Sequence, residues 1–197
     1  MSATVNDAAL DVLFRDARTQ NKWLDKPVTA EQLKAVYDLA KWGPTSANCF
    51  PMRLVFAHSQ AERDRLATMV SGGNNEKVRT AGAVAIIGYD LKFYDHIPKL
   101  FPHAPEAREW FAHDEQVAFS TAFRNGSLQG AYLMLAARSL GLDCGPMSGF
   151  NNAAVDEAYF AGTSIKSNFL CALGYGDPAG LFPRSPRPDF DEYSTIR

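Results

Sequence analysis

The chain has 197 residues, of which 46% are hydrophobic, so it is long and apolar enough to bury one sizeable core. Its formal net charge is -2, and such a balance lacks the positive field that recruits nucleic acid or an anionic membrane surface. We therefore expect a single domain, residues 1–197, that binds neither.

The N-terminal part of the chain predicts two helices and then a polar loop. Asp7 is placed to cap the first helix, whose apolar residues recur at the i, i+3, i+4, i+7 spacing until it ends near Arg18. Thr29 and Gln32 form a capping-box pattern at the start of the second helix. The loop at residues 43–53 crowds short hydrogen-bonding side chains between two prolines. Such a loop suits either a helix-ending turn or a ligand-binding segment.

Three short apolar runs predict buried strands, because they are rich in branched and aromatic residues. They are Leu54–Ala57, Ala83–Tyr89 and Phe169–Leu173, and residues 61–70 predict a helix between the first two. Strands and helices are mixed, but strand-helix-strand units do not recur regularly enough for a doubly wound sheet. The sequence therefore predicts an α+β fold.

A long helix is predicted from about Asp114 to Leu140, with Gly141 placed as its C-terminal cap. One face of this helix carries apolar side chains at helical spacing, namely Leu128, Ala131, Tyr132 and Leu135. We expect the helix to be central to the fold.

Two segments are expected to lack long regular elements. Residues 91–112 alternate aromatic rings with prolines, so they form either an excursion that packs its own rings or a lid over a ligand. Residues 181–197 are rich in proline and arginine and predict an extended C-terminal arm.

The sequence gives no sign of export or of metal binding. The N-terminus lacks the positive start and apolar run of a signal peptide, and no apolar stretch approaches the roughly 18 residues of a membrane helix. The three cysteines are odd in number and widely spaced, so we expect a cytoplasmic protein without disulfides or structural zinc. The four histidines lack the spacing of metal ligands.

Two glycine-containing segments approach familiar motifs and miss them. Residues 174–180 follow a strand, but their glycine spacing and Pro178 do not suit the turn that faces a dinucleotide pyrophosphate. Ser148 lacks the glycine two positions earlier that a nucleophile elbow requires. We therefore expect neither a Rossmann dinucleotide site nor a serine hydrolase.

The polar loop carries a family resemblance. The order helix, Gly43-Pro44-Thr45-Ser46-Ala47-Asn48, Pro51, Arg53 and strand resembles the flavin loop of the FMN-dependent nitroreductase family. Asp16 to Trp23 resembles the phosphate motif of that family, although either Asn21 or Lys22 could stand where a second cation is common. Two arginines in the tail resemble the terminal phosphate arm, and which of them touches phosphate is open.

The resemblance continues in order along almost the whole chain. Asn74-Asn75-Glu76-Lys77 resembles an Asn-x-x-Lys element at the polar edge of the flavin, and residues 145–150 resemble a segment near flavin N5, with Ser148 in place of the usual glutamate. The cofactor-binding residues implied by the resemblance are Arg18, Thr19, Asn21, Pro44, Thr45, Ser46, Asn48, Asn74, Lys77, Met147, Ser148, Gly149, Arg184 and Arg187.

The resemblance implies an FMN-binding fold with a mainly antiparallel sheet, assembled as an intertwined homodimer with FMN at the interface. It also implies ping-pong hydride transfer from NADH or NADPH through flavin N5, so no side chain is expected to be catalytic. The branch most like this chain implies reduction of malonic semialdehyde in pyrimidine degradation.

Alternatives remain open at this stage. The substrate could instead be a nitro compound or a quinone, or the chain could bind flavin without physiological turnover. Arg124 and Asn125 are candidates for substrate binding, and the alternative is that they make only interhelical or dimer contacts.

Overall fold

The computed structural model describes residues 3–197 and is built on one antiparallel sheet. Its strands are ordered β1-β2-β4-β3, with β1 at Met52–Ala57, β2 at Ala83–Asp90, β3 at Asp143–Met147 and β4 at Ile165–Gly174. Every pairing is antiparallel, and each residue of the central strand β2 is buried. The α+β prediction is confirmed.

Three of the four strands contain the predicted apolar runs, and β3 was not predicted as a strand. Gly145 and Pro146 are both poor strand formers, so the local sequence argues against one. Because β3 is an edge strand, however, its proline needs no partner on the open side of the ladder. Tertiary position thus outweighs local propensity here.

The helices surround this sheet. They are α1 (Asp7–Leu10, continued by a π-helical turn at Asp11–Arg15), α2 (Ala30–Ala40), α3 (Gln60–Ala67), α4 (Gly72–Thr80), α5 (Ile97–Leu100), α6 (Glu109–Ala112), α7 (Glu115–Ser139), α8 (Asn152–Phe160) and α9 (Phe190–Tyr193). Among residues 3–197, none of these helices has both the length and the hydropathy to span a bilayer.

The first two helices test the cap predictions. The capping box of Thr29 and Gln32 is present at the start of α2. At α1 the cap prediction was wrong: the Asn6 side chain, not that of Asp7, accepts a hydrogen bond from the backbone N–H of Ala9. The helical segment also ends at Arg15 rather than near Arg18. A residue just before the first turn is well placed to cap its free N–H groups.

Alternating residues of the sheet build two hydrophobic layers, as the period of a strand requires. One face packs on α2 and α7 through Val36, Ala85, Ile87, Leu133 and Leu173. The other face packs on α3, α4 and α8 through Leu66, Val78, Ile86, Val155 and Leu170. The sheet is therefore covered by helices on both sides.

Helix α7 runs within the predicted bounds, but its apolar face does not pack on the sheet. Leu128 is 38% exposed and Tyr132 is 37% exposed. The buried stripe consists mainly of small and amide residues, including Ala122, Asn125, Gly126, Gln129, Gly130 and Ala137. Small side chains allow the helix axis to approach the sheet closely, so the larger apolar residues are left on the outer surface.

Residues 91–112 form short helical turns that pack their own rings. Phe93 and Phe111 are buried and meet edge to face, with ring centroids 5.2 Å apart. The same cluster includes Cys49 of the polar loop and Ala118 of α7. The segment thereby lies against the loop. The C-terminal residues 182–197 are exposed, and within them only α9 is regular.

The end of α7 supplies a test of the fold. Gly141 has φ +77°, a left-handed conformation in which a residue with a Cβ is strained. We expect Gly141→Ala to lower the free energy of unfolding by about 1 kcal/mol in urea titrations. Gly73→Ala in α4 is the control, because its added Cβ meets no atom within 4 Å and its backbone is ordinary helix. Equal stability of the Gly141 variant and the wild type would contradict this account.

Candidate functional site

A polar cavity of about 580 Å³ lies between the N-terminal segment and the C-terminal arm. It brings together five of the residues predicted to bind cofactor and adds one arginine that was not predicted. The six residues are Arg18, Thr19, Asn21, Arg138, Arg184 and Arg187. Segments from opposite ends of the sequence therefore meet at one cavity.

The two ends are joined there by three reciprocal hydrogen bonds. The Arg18 guanidinium donates to the carbonyl of Phe182 in the arm. In return, the Arg184 guanidinium donates to the carbonyl of Arg15, at 2.7 Å, and to that of Ala17, at 3.3 Å. Each arginine thus fixes the segment that carries the other.

Among residues 3–197, no aspartate or glutamate lines this cavity. Arg138 donates to the carbonyl of Leu13 and Arg187 to that of Ser185, so all four arginines have backbone acceptors. In the described chain, the arginines that form ion pairs are others: Arg15, Arg53, Arg65, Arg79 and Arg108. Four guanidinium groups with only neutral acceptors suit an anion with several oxygens, such as a phosphate.

Beside this cavity, Lys77 of α4 crosses edge strand β3. Its Nζ donates at long range to Asn21 Oδ1, 3.4 Å away, and to the carbonyl of Pro146, 3.5 Å away. A Cβ on Gly145 would come within 2.4 Å of Lys77 Cε and 2.6 Å of the carbonyl oxygen of Gln20. Only glycine at position 145 leaves room for the lysine to reach this place.

Lys77 is a buried cation with weak partners. Its residue is only 4% exposed, and burial lowers the pKa of its amine below the ordinary 10.5. No carboxylate lies within ion-pair distance of it among residues 3–197. An electron-rich group placed at Nζ would recover the solvation that burial removes. Lys77 is therefore placed to bind an electron-rich group.

The turn after β3, Lys77 and the arginine cavity together form one group of candidate site residues. Asn74 donates from Nδ2 to the carbonyl of Gly149, 3.2 Å away, and so joins α4 to the turn after β3. Met147 is buried, whereas the Ser148 side chain is exposed. The arrangement brings the predicted Asn74, Lys77 and Met147–Gly149 together.

The polar loop has a strained backbone. Ala47, Asn48 and Phe50 have φ of 49°, 46° and 43°, although none of them is glycine. The left-handed conformation costs roughly 1–2 kcal/mol for each such residue. Strain of this kind persists only where surrounding contacts fix the backbone, and it is common at ligand sites.

Helix α7 holds both ends of the loop with two amide side chains one turn apart. Asn125 Oδ1 accepts from the Ser46 N–H, and Gln129 Oε1 accepts from the Met52 N–H, each at 2.9 Å. Within the loop, Thr45 Oγ1 accepts from the Phe50 N–H at 3.2 Å. Asn48 reaches outward and donates to the carbonyl of Leu100, 2.7 Å away. Pro44, Ser46 and Asn48 remain exposed.

Two residues predicted to bind substrate have different surroundings. Asn125 is 6% exposed, and its amide is occupied, because it also donates to the carbonyl of Thr121 at 2.8 Å. Arg124 is exposed and has no ion pair or side-chain hydrogen bond within residues 3–197.

The predicted site residues form two separate groups in one chain. The polar loop leads into β1, whereas Lys77 and the arginine cavity lie beside β3, and these strands are opposite edges of the sheet. Two strands intervene, which places the edges about 14 Å apart at the usual strand spacing. A single chain therefore does not bring its polar loop to Lys77 and the arginine cavity.

Arg138 is the member of the arginine cavity that sequence reasoning missed. It lies in the last turn of α7, where a basic residue is favoured by the helix dipole alone. Its local sequence therefore carries no signal of a ligand.

Among residues 3–197, no group of three or more histidine, cysteine or acidic side chains could hold a metal ion.

Solved structures with this fold define its class. The chain superposes on a "putative nitroreductase in complex with FMN" from Exiguobacterium sibiricum 255-15 with a TM-score of 0.87 at 19% identity, covering 100% of each chain. It also superposes on "putative nitroreductase ydfN" from Bacillus subtilis with a TM-score of 0.85 at 21% identity, covering 98% of this chain and 100% of the other. The fold is nitroreductase-like.

The sequence itself is more closely matched. It is 56% identical to "Putative NADH dehydrogenase/NAD(P)H nitroreductase HadB" of Ralstonia pickettii, and 60% identical to "Putative NADH dehydrogenase/NAD(P)H nitroreductase Smlt0482" of Stenotrophomonas maltophilia (strain K279a). Both matches cover 100% of each chain. Residues 15–176 match the model of the nitroreductase family. The chain belongs to the nitroreductase family.

The buried amine of Lys77 gives a prediction for the ligand-free chain. We expect Lys77→Met to raise its melting temperature at pH 7, because a desolvated charge is removed while the aliphatic volume is kept. Between the lowered pKa and 10.5, the unfolded wild type binds more protons than the folded one, so wild-type stability rises with pH there. The advantage of the variant should shrink in that range.

Thermal melts from pH 7 to 10.5 check this pattern. Lys22→Met is the control, because Lys22 is exposed and its removal should leave the melting temperature unchanged. A Lys77 variant that is less stable than the wild type at pH 7 would refute the expectation.

Proposed function

We propose that this chain is an FMN-dependent NAD(P)H oxidoreductase. The observation that carries the proposal is the group of four arginines without carboxylate partners, beside the buried Lys77, in a nitroreductase-family chain. The names of its relatives, which describe NAD(P)H nitroreductases, support the same reading, as does the FMN complex of a protein with this fold.

The residues present fit FMN. Arg18, Arg138, Arg184 and Arg187 would bind the phosphate, exchanging neutral carbonyl acceptors for charged oxygens. The hydroxyl of Thr19 would add a donor, since it lines the same cavity. A hydrogen bond from a guanidinium to a charged phosphate oxygen is stronger than one to a neutral carbonyl, so this exchange would favour binding.

The ring would lie beyond this cavity, with Lys77, Asn21 and Asn74 at its polar edge and the backbone of Met147–Gly149 beside it. Bound FMN would supply hydride transfer, accepting from NADH or NADPH and then donating to an oxidised substrate in a ping-pong cycle. The amine of Lys77 would stabilise negative charge at the polar edge. No acid-base side chain is needed for that task.

We propose further that a homodimer completes the site. The polar loop lies at the opposite sheet edge from Lys77, so the loop of one protomer would cover the ring bound by its partner. Apolar residues of α2, of the turn after it and of α7 are exposed in the single chain, among them Leu39, Trp42, Leu128 and Tyr132. A two-fold interface would bury such a patch on both protomers.

The substrate proposed first is malonic semialdehyde, whose carbonyl carbon would take the hydride and whose oxygen would take a proton from solvent to give 3-hydroxypropanoate. Its carboxylate needs a cation, and Arg124, which is exposed and has no partner among residues 3–197, is available for that role. A nitro or quinone substrate is the second candidate. It is favoured by the stacked and exposed rings of Phe119 and Phe123, whose centroids are 6.0 Å apart.

Anaerobic spectral titration tests the proposal as a whole. We expect NADH or NADPH to bleach the flavin absorption of the purified protein, and the oxidised substrate to restore it. Rates of restoration with malonic semialdehyde, a quinone and a nitroaromatic would rank the substrates. Bound flavin that neither nucleotide bleaches would indicate a flavin-binding protein without turnover, and a chain that takes up no FMN would refute the proposal.

The phosphate cavity can be tested separately. We expect Arg18→Ala to weaken FMN binding by about 10-fold or more, because one charge-assisted hydrogen bond is lost, and to leave riboflavin binding unchanged. Fluorescence titration measures both ligands. Arg15→Ala is the control, since Arg15 lies nearby but already pairs with Asp7 and Asp11. Equal weakening of riboflavin would exclude a phosphate role for Arg18.

Mixed dimers test the shared site. A variant lacking Arg18 and Arg184 and a variant with Ser46 and Asn48 replaced by alanine should each bind FMN poorly. We expect the mixed dimer to recover one FMN per dimer, because one of its two sites would carry neither change. Mixing that restores no binding would mean that each site is built within one chain.

A further inference from the structure

The strained loop is followed directly by a half-buried ion pair. Arg53, the second residue of β1, donates from Nη1 to the carbonyl of Phe50 at 2.9 Å and to that of Met52 at 3.0 Å. Its Nη2 donates to Asp90 Oδ2 at 2.8 Å. One guanidinium therefore connects the last left-handed residue of the loop to the end of β2.

The partner carboxylate is itself rigidly placed. The Asp90 side chain is 9% exposed, and its Oδ1 accepts from the Lys92 N–H at 2.9 Å and from the Ser164 hydroxyl at 2.6 Å. The Asp90 N–H donates to the carbonyl of Pro51 at 2.9 Å. Asp90 is thus fixed at the end of β2, and its ion pair with Arg53 fixes the loop relative to the sheet.

Phe50 has φ +43°, so its peptide would relax toward an ordinary conformation if its carbonyl were free. A guanidinium can reach this carbonyl and the carboxylate in two directions at once, because its donors form a planar fork. A lysine amine presents a single point charge and does not span both. The geometry therefore requires arginine specifically.

We propose that Arg53 is a positioning residue that holds the loop Thr45–Asn48 in the shape that receives the flavin ring. The inference rests on the proposed function, since it assigns that loop to the ring rather than to the phosphate. Arg53 does not line the arginine cavity, and its guanidinium is used on Phe50, Met52 and Asp90. Its loss should therefore affect every ligand that carries the ring.

The experiment compares FMN and riboflavin binding to the full-length chain. We expect Arg53→Lys to weaken both ligands by the same factor, about 10-fold, because the fork to the Phe50 carbonyl is lost. It should also shift the visible absorption of bound flavin. Asp90→Asn, which keeps Arg53 but weakens its anchor, should change both affinities in the same direction by a smaller factor.

Arg63→Lys is the matched control. Arg63 is also half-buried and also donates to backbone carbonyls, those of His58 and Gly82, but it lies away from the loop. We expect this control to lower the melting temperature without moving the flavin spectrum. A purely structural role for Arg53 would give the same result as the control.

Several outcomes overturn the inference. Arg53→Lys and Asp90→Asn could both bind riboflavin as the wild type does, or Arg53→Lys could weaken FMN alone, which would assign it to the phosphate. If Arg53→Lys does not fold, the ratio of FMN to riboflavin weakening in Asp90→Asn decides in the same way. A wild type that binds neither flavin would refute the proposed function as well, whereas unchanged variants of a flavin-binding wild type refute only this inference.

Discussion

Positive charge without a carboxylate partner is the constraint on which the proposed site depends. Four guanidinium groups converge at one cavity, and a buried amine lies beside them with hydrogen bonds no shorter than 3.4 Å. Like charges repel, and desolvation favours the neutral amine, so the ligand-free chain holds this arrangement at a cost in stability. An anionic ligand would offset the repulsion between the cations and would favour the charged form of the amine. The proposed site would therefore be stabilised by a ligand that folding alone does not supply.

Much of the fold could be predicted from local signals. The capping box of Thr29 and Gln32, the apolar runs of three strands and the glycine after α7 are all chemical preferences of the residues concerned. Strand β3 could not be predicted, because Gly145 and Pro146 are acceptable only at a sheet edge beside Lys77. Helix α4 could not be predicted either, because it begins with two glycines and two asparagines, all of low helix propensity.

The candidate site, like the fold, could be predicted from the sequence only in part. The resemblance named most residues of the arginine cavity, but Arg138 is one basic residue among many at a helix end and became visible only when the arm packed beside it. Nor does sequence order show that the loop and Lys77 lie on opposite edges of the sheet. That separation is a property of strand order, and it is why a second protomer enters the proposal.

The loop and the cavity differ in how they are held. The loop is strained, and buried amide and ion-pair contacts from α7 and β2 fix it, so its shape is set before any ligand arrives. The arginines are long side chains with exchangeable carbonyl partners, which suits capture of a charged group. In the proposed site, rigid placement at the ring and adaptable contact at the phosphate would be complementary ways of binding one ligand.

The contact between the N-terminal segment and the C-terminal arm also determines when the cavity can form during synthesis. The hydrogen bonds from Arg18 to Phe182 and from Arg184 to Arg15 join residues 164 and 169 positions apart. The sheet strands all lie earlier in the sequence than the arm. On the ribosome, the core can therefore form while the cavity still lacks one wall. The arginine cavity is therefore completed only after the segments that build the sheet, and an anion bound there would be taken up late in folding.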